Sequence, residues 1–261
     1  MRAAPDVTTT SATEVRPDGT RRAVTRAWVP EAPVALEFNG LSYAVMMASP
    51  QDLEDFAIGF ALSEGLATQA TDISDLAIAE VELGWIVRAQ LAGLGIDKLE
   101  DRVRRRVAES SCGLCGIENL AEVSRPLPPV PPHDPIDPAA IFAALAALRE
   151  QQPLGAATGA AHAAAHCRPD GSITALREDV GRHNALDKLI GAKARTGQAL
   201  APGFVLSTAR CSYEIVEKAV RAGATTLVCI SLPTTLAVAR AKAAGLSLWA
   251  LAREDSVLQV A

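Results

Sequence analysis

The run Thr226-Leu227-Val228-Cys229-Ile230 decides the fold class of this chain, because five uncharged, mostly apolar residues in a row favour a strand that is buried on both faces. Such a strand belongs in a sheet that helices cover on both sides. Outward from this run, the pattern predicts strands at 161–167, 172–177, 204–207 and 247–251 and helices at 183–195, 213–222 and 234–244. This alternation predicts an α/β layered domain.

The first hundred residues follow a different pattern. Two hairpins are predicted, one around Asn39-Gly40 and one around Leu83-Gly84, with a helix between them that Ser49 caps and Gly65 ends. These elements predict a small α+β unit. The resulting division of the chain is a disordered tail (1–20), a small α+β domain ending in a cysteine loop (21–125), a proline-rich linker (126–138) and an α/β cofactor-binding domain (139–261).

Composition limits the class of protein. The chain has 261 residues, 49% of them hydrophobic, which is enough for a substantial core. It contains neither an apolar run of signal-peptide length near its start nor one that could cross a membrane. Five cysteines are few and odd in number, which fits a reducing compartment, so we expect a cytoplasmic protein. A formal net charge of −5 argues against a nucleic-acid binder.

The segment Ser110-Ser111-Cys112-Gly113-Leu114-Cys115-Gly116 carries the most specific chemistry. Two cysteines at this spacing can share a metal, close a disulfide or pass a sulfur atom between them. The flanking glycines leave the backbone free to bend and supply no packing surface. Cys112 and Cys115 are therefore candidate reactive thiols, with burial as small apolar residues as the alternative.

Two strand-to-helix junctions favour an anionic ligand. In the first, Arg182 suits phosphate oxygens, and Asp179 or Asn184 could contact a base or ribose edge. In the second, Arg210 repeats the charge and Tyr213 could stack on a base. Ligands gather at such junctions in α/β sheets. Helix capping and salt bridges are the alternative explanation for both.

The chain resembles the FdhD/NarQ family of sulfur carriers required for formate dehydrogenase. The resemblance rests on the cysteine loop and on three further segments, and it spans about residues 30 to 251. These segments are Glu178 to Gly191, Ser212-Tyr213-Glu214 and Thr234 to Val238. It implies a main domain like the cytidine deaminase fold with a smaller α+β domain, assembled as a homodimer. It further implies that a cysteine desulfurase donates sulfur and that the acceptor is the molybdenum or tungsten bis(guanine dinucleotide pterin) cofactor.

The resemblance also assigns roles to residues. Cys112 corresponds to the persulfide cysteine and Cys115 to its neighbour. Together with the junction residues above, the expected contacts to the cofactor, or to a GDP-like nucleotide, are Asp179, Arg182, His183, Asn184, Arg210, Tyr213, Leu251, Ala252, Arg253, Glu254, Asp255 and Ser256. The family commonly ends this last stretch with a Gly-Arg pattern. Two acids next to an anionic dinucleotide are unfavourable, so Arg253 is the expected contact in the tail.

Three other interpretations stay open on the residues alone. A zinc-dependent deaminase needs His-x-Glu upstream of its paired cysteines, whereas Cys112 and Cys115 come first here and His162 is followed by two alanines. A zinc-binding module needs two further ligands, which His162 and His166 could supply. A thioredoxin-like oxidoreductase would place the paired cysteines after a strand in an early βαβ unit, whereas here they precede a proline-rich linker.

Overall fold

The computed structural model describes residues 7–95, 99 and 126–261, and they form a mixed α/β structure. The strands are β1 (Thr8–Val15), β2 (Arg21–Trp28), β3 (Ala32–Phe38), β4 (Leu41–Ala48), β5 (Ile73–Val81), β6 (Gly84–Leu91), β7 (His162–Cys167), β8 (Ile173–Asp179), β9 (Phe204–Ser207), β10 (Thr226–Cys229), β11 (Ser247–Ala250) and β12 (Leu258–Gln259). The helices are α1 (Leu53–Ser63), α2 (Pro138–Leu148), α3 (Pro153–Thr158), α4 (Arg182–Arg195), α5 (Tyr213–Arg221) and α6 (Thr235–Ala244).

The larger sheet has six strands in the order β12-β11-β10-β9-β7-β8. Strands β9, β10 and β11 are parallel, while β7 runs antiparallel to both of its neighbours. The central strand β10 confirms the prediction of burial on both faces. Leu227 and Cys229 pack in one core with α4, α5 and α6, and Val228 packs in a second core with α2 on the other face.

A four-stranded sheet, β4-β3-β6-β5, covers one face of α1. The contact is aromatic: Phe38, Tyr43, Phe56 and Phe60 meet mostly edge to face, with ring centroids 5.8–6.4 Å apart. Such pairs add about 0.5–1.5 kcal/mol each beyond the area they bury. The predicted hairpins and the helix between them are confirmed by these elements.

Helix α1 connects the two sheets by crossing α4 at backbone contact. A Cβ atom on Gly59 would lie 1.7 Å from the carbonyl oxygen of Asp187, and one on Gly191 would lie 1.9 Å from that of Asp55. Neither position has room for a side chain. The two glycines therefore allow α1, from the first half of the chain, to lie directly on the helix that follows β8.

The structure departs from the sequence expectation at two places. Residues expected in a disordered tail include β1, which pairs in register with β2 and so gains backbone hydrogen bonds that its polar composition does not indicate. Ser49 does not cap α1, which begins at Leu53 after Asp52. Its amide donates to Asp179, the last residue of β8, and its hydroxyl accepts from the amide of Val180, because the β4–α1 connection lies against the end of that strand.

The linker residues from 126 to 137 contain no helix or strand, as their prolines predict, and Asp137 caps α2 by accepting a hydrogen bond from the Ala139 amide at 2.9 Å. The division into domains and the likeness to cytidine deaminase stay predictions. In the described ranges, none of the helices combines the length and apolar character that a membrane crossing requires.

Candidate functional site

The candidate site lies at one edge of the six-stranded sheet. Strands β8, β9, β10 and β11 all end at this edge, and β7 begins there, since His162 pairs with Asp179 and the Thr208 amide bonds to Ala163 at 3.0 Å. Helices α4, α5 and α6 begin at the same edge. Helix N-termini carry partial positive charge and free amide groups, so their convergence favours an anion.

A buried network holds the first junction in place. Asp179 is fully buried, and its carboxylate accepts from the Gly181 amide (2.7 Å), the Asn184 side chain (2.9 Å) and the Ser49 amide (3.0 Å). The Lys188 ammonium lies 2.5 Å from the same carboxylate and donates to the Ser49 carbonyl at 2.8 Å. Asp179 and Asn184 are thus occupied by internal contacts and position the turn at Gly181, instead of presenting polar groups to a ligand.

Basic side chains surround the turn that this network positions. Arg182 and His183 are the first two residues of α4, and Arg210 is exposed in the loop after β9. Burial lowers the pKa of His162, and the positive charges of Arg182, His183 and Arg210 lower it further. His162 is therefore neutral at pH 7. Together, Arg182, His183, Arg210 and His162 are called the basic edge, because they lie at the edge of the sheet where β8 to β11 end.

The charges of the basic edge are only partly neutralised. His183 Nε2 lies 3.0 Å from a Glu214 carboxylate oxygen and 3.4 Å from the Ser212 hydroxyl. Arg210 makes no hydrogen bond or ion pair within the described part of the chain. An exposed guanidinium beside helix N-termini can bind a phosphate group through bidentate hydrogen bonds. The arrangement suits binding of a phosphorylated anion.

Tyr213 does not offer the predicted stacking platform. It is buried, and the Arg240 guanidinium lies 5.3 Å from the centre of its ring. Burial and the neighbouring Glu217 carboxylate raise the pKa of its hydroxyl. The ring packs inward because it is the first residue of an amphipathic helix whose apolar side faces the core, so little of it remains for a base.

The predicted C-terminal contact stretch follows β11 at the same edge. Leu251 has a φ of 48°, a left-handed backbone conformation that residues other than glycine rarely adopt. Ala252 is buried, whereas Glu254, Asp255 and Ser256 are exposed. The Arg253 guanidinium donates to the carbonyl of Ile230, at the end of β10. Arg253 therefore anchors the stretch to the sheet edge, and its two acids face solvent.

The predicted reactive thiols, Cys112 and Cys115, lie outside the described residues. The prediction that Cys167 and Cys229 pack in the core is confirmed, and Cys211 is equally buried. Burial raises the pKa of Cys167 to about 12, and contact with the Cys211 thiol together with burial raises that of Cys229. Cys167 and Cys229 are therefore poor nucleophiles at neutral pH, and burial keeps all three thiols from a partner. Among residues 7–95, 99 and 126–261, no three His, Cys, Asp or Glu side chains group as a metal site.

Two participants at the site were not identified from sequence. The sequence predicts Ser49 as a helix cap, and it gives Lys188, within the segment Glu178 to Gly191, no role of its own. The sequence does contain a signal for Lys188. It lies four residues after Asn184 on the helix that follows the charged junction, and residues i and i+4 share a face of a helix. Nothing local to Ser49 indicates a contact 130 residues along the chain.

Comparison with known proteins shows which family and which relatives the chain resembles. The model of the FdhD/NarQ family matches residues 29–259. The chain is 47% identical over 218 residues to the sulfur carrier protein FdhD of Cupriavidus necator, covering 84% of this chain and 76% of that protein. It is 42% identical over 224 residues to the sulfur carrier protein FdhD of Xanthomonas euvesicatoria pv. vesicatoria, covering 86% of this chain and 80% of that protein.

The fold also has a counterpart among solved structures. A crystal structure of a candidate formate dehydrogenase accessory protein from Desulfotalea psychrophila matches with a TM-score of 0.76 and 24% identity. The match covers 97% of this chain and 96% of that chain, which shows that the two share a fold. With the family model spanning most of the sequence and relatives above 40% identity, the chain belongs to the FdhD/NarQ family.

Proposed function

We propose that this chain is a sulfur carrier that takes a sulfane sulfur from a cysteine desulfurase and delivers it to the molybdenum or tungsten bis(guanine dinucleotide pterin) cofactor of formate dehydrogenase. Family membership and the names of its relatives support the sulfur-carrying half of the proposal. The observation that supports delivery to the cofactor is the basic edge, whose charges suit the pyrophosphate groups of this substrate. Membership of the family extends the proposal: the desulfurase and formate dehydrogenase are the partners of the carrier in the cytoplasm, and the carrier acts as a homodimer.

The basic edge would hold the substrate by its phosphates. Arg182 and Arg210 supply the charge, His183 can donate a hydrogen bond, and the N-termini of α4 and α5 add amide donors. The network of Asp179, Asn184 and Lys188 holds the turn in one geometry, so less conformational entropy is lost when the anion binds. His162, kept neutral, can donate or accept one hydrogen bond without adding charge.

Sulfur uptake needs no net oxidation or reduction. The Cys112 thiolate attacks the terminal sulfur of the donor's persulfide, an S–S bond forms at Cys112, the donor's S–S bond breaks, and the donor leaves as a thiolate. For release, the Cys115 thiolate attacks the Cys112 sulfur and expels hydrosulfide. The two thiols supply the two electrons that reduce the sulfane sulfur and become a disulfide, which a dithiol reductant reopens.

The proposal is tested by mass spectrometry of the intact chain and its peptides after incubation with a cysteine desulfurase and cysteine. We expect the peptide containing Cys112 to gain the mass of one sulfur atom and to lose it on treatment with a thiol reductant. Cys112→Ala should prevent the gain and should fail to restore formate dehydrogenase activity in a host without its own carrier. Its circular dichroism spectrum should match the parent's.

Labelling of Cys167 or Cys229 in place of Cys112 would contradict the assignment, because the structure buries both thiols. Full formate dehydrogenase activity with Cys112→Ala would show that another group carries the sulfur. Cys211→Ala is the matched control, since it removes a thiol next to the basic edge that the proposal does not use.

A further inference from the structure

A cavity of about 640 Å³ lies away from the basic edge, where helices α4 and α5 end. Its walls are the end of α1, the turn at 65–70, the last residues of α4, the loop at 197–200, the end of α5 and Pro128. The volume lies within the usual range for small-molecule sites. Lys193 is eleven residues beyond Arg182 on α4, so the cavity and the basic edge are separated by roughly 16 Å of helix.

Lys193 is an unusual residue to find in this wall. It is 5% exposed, and its ammonium makes one hydrogen bond, to the Gln198 side-chain oxygen at 2.9 Å, within the described part of the chain. The ammonium can donate three hydrogen bonds. Burying a cation beside a neutral amide alone is unfavourable, because the desolvation cost is not offset by an opposite charge.

The other two buried lysines of the described residues show the contrast. Lys188 lies 2.5 Å from the Asp179 carboxylate, and Lys218 lies 2.9 Å from Asp187 and 3.1 Å from Glu64. Both have the carboxylate partner that a buried ammonium normally requires. Lys193 has none among the residues described, and it differs from the other two in lining a cavity large enough for a separate molecule.

The rest of the lining fits an anion with an apolar body. Among the described residues that line the cavity, Arg221 is the second charged one, and none is Asp or Glu. Arg168 adds positive charge, since burial and then Arg168 lower the pKa of Lys193. Leu62, Ile190 and alanine side chains supply apolar surface between the charges.

We propose that this cavity binds a small organic anion, with a carboxylate or phosphoryl group on an apolar body, whose charge pairs with Lys193. The anion completes the hydrogen bonds of the ammonium and offsets its burial. Arg221 adds a second positive charge to the wall of the cavity. The site is independent of sulfur transfer and of the nucleotide contacts at the basic edge.

The test is calorimetric titration of the full-length protein with phenyl phosphate and with benzoate, with phenol as the neutral probe of the same shape. We expect at least one of the two anions to bind and phenol not to. Lys193→Met should weaken binding of that anion by about tenfold or more, because it removes a charge-assisted hydrogen bond. Arg221→Met should weaken it in the same direction, and Lys242→Met, on an exposed face of α6, should have no effect.

Thermal unfolding separates a binding role from a structural one. Without ligand, Lys193→Met should be as stable as the parent or more stable, since it removes a buried charge without leaving an unpaired carboxylate. At the same concentration of the anion, the parent should gain more stability than the variant. Absence of binding by both anions, equal binding of phenol, or unchanged affinity in both cavity variants would overturn the proposal. Because no desulfurase or cofactor is used, none of these results bears on sulfur transfer.

Discussion

At the scale of single residues, exposure separates two groups within the charged run from Glu178 to Lys188. Glu178 accepts the amides of Leu154 and Gly155 at 2.9 and 2.7 Å, and Asp179 is enclosed by its network. These acids stabilise the fold. Arg182 and His183 follow these acids at the half-buried start of α4, where a ligand can reach them. Residues that are close in sequence therefore have different roles: the acids stabilise the fold, and the basic residues are the ones expected to bind the ligand.

Arg182→Ala and Arg210→Ala should each weaken GDP binding by about tenfold or more, since each removes charge-assisted hydrogen bonds to phosphate. The salt dependence of binding should flatten in both variants. Isothermal titration at two salt concentrations measures this. Arg149→Ala is the control, because Arg149 is exposed and distant in sequence from the site. Arg195, at the other end of α4, is unsuitable as a control because it pairs with Glu54 and Asp55. Equal GDP affinity in all variants would place the nucleotide elsewhere.

At the scale of elements, the crossing of α1 and α4 fixes where the basic edge lies relative to the small sheet. The backbone contact at Gly59 and Gly191 brings the β4–α1 connection against the turn after β8, where Ser49 meets Asp179 and Lys188. A wider crossing would separate these groups and leave a buried carboxylate and ammonium partly unsatisfied. The close helix contact and the polar network therefore depend on each other.

Gly59→Ala should lower the free energy of unfolding by about 3 kcal/mol or more, because a methyl group 1.7 Å from a backbone oxygen forces the helices apart. Gly95→Ala places its methyl group more than 4 Å from every non-neighbouring atom of the described residues, so it should change the free energy of unfolding by no more than about 0.5 kcal/mol. Urea denaturation followed by circular dichroism gives both values. A Gly59→Ala variant as stable as Gly95→Ala would mean that the helices are not in backbone contact.

At the scale of the whole molecule, buried ions join the two sheets. Lys218 on α5 bonds to Asp187 on α4 at 2.9 Å and to the Ser63 hydroxyl on α1 at 2.9 Å. Ser63 also donates to Asp187 at 2.6 Å. Separating the sheets would break the hydrogen bonds that Ser63 and Ser49 make to these networks, and also the ion pairs Lys218–Glu64 and Arg177–Asp55, all of which connect the two units.

The two sheets should therefore unfold together. Trp85 lies in the small sheet and Trp249 in the large one, and each can be isolated as a fluorescence reporter by changing the other two tryptophans to Phe. We expect the denaturation midpoints from the two reporters to coincide with each other and with circular dichroism. Two separate midpoints would instead support independent domains with the boundaries predicted from sequence.

Much of the local structure could be predicted because its signals are local. Strands β9 and β10, and helices α4, α5 and α6, lie within about two residues of the positions that periodicity indicates, a shift that boundary assignments commonly show. Asp137 and Pro138 start α2 as their chemistry requires. β1 could not be predicted in this way, because its polar sequence becomes a strand only through pairing with β2.

The sequence by itself determined the order of the elements, the α/β class and, through its motifs, the family. Only the tertiary structure decided which charged residues are available to a ligand. Asp179, Asn184 and Tyr213 look like binding residues in the linear chain, yet packing buries them, while Arg182 and Arg210 stay accessible. The physical reason is distance along the chain: periodicity and capping act over a few residues, whereas burial depends on contacts such as Ser49 with Asp179, across 130 residues.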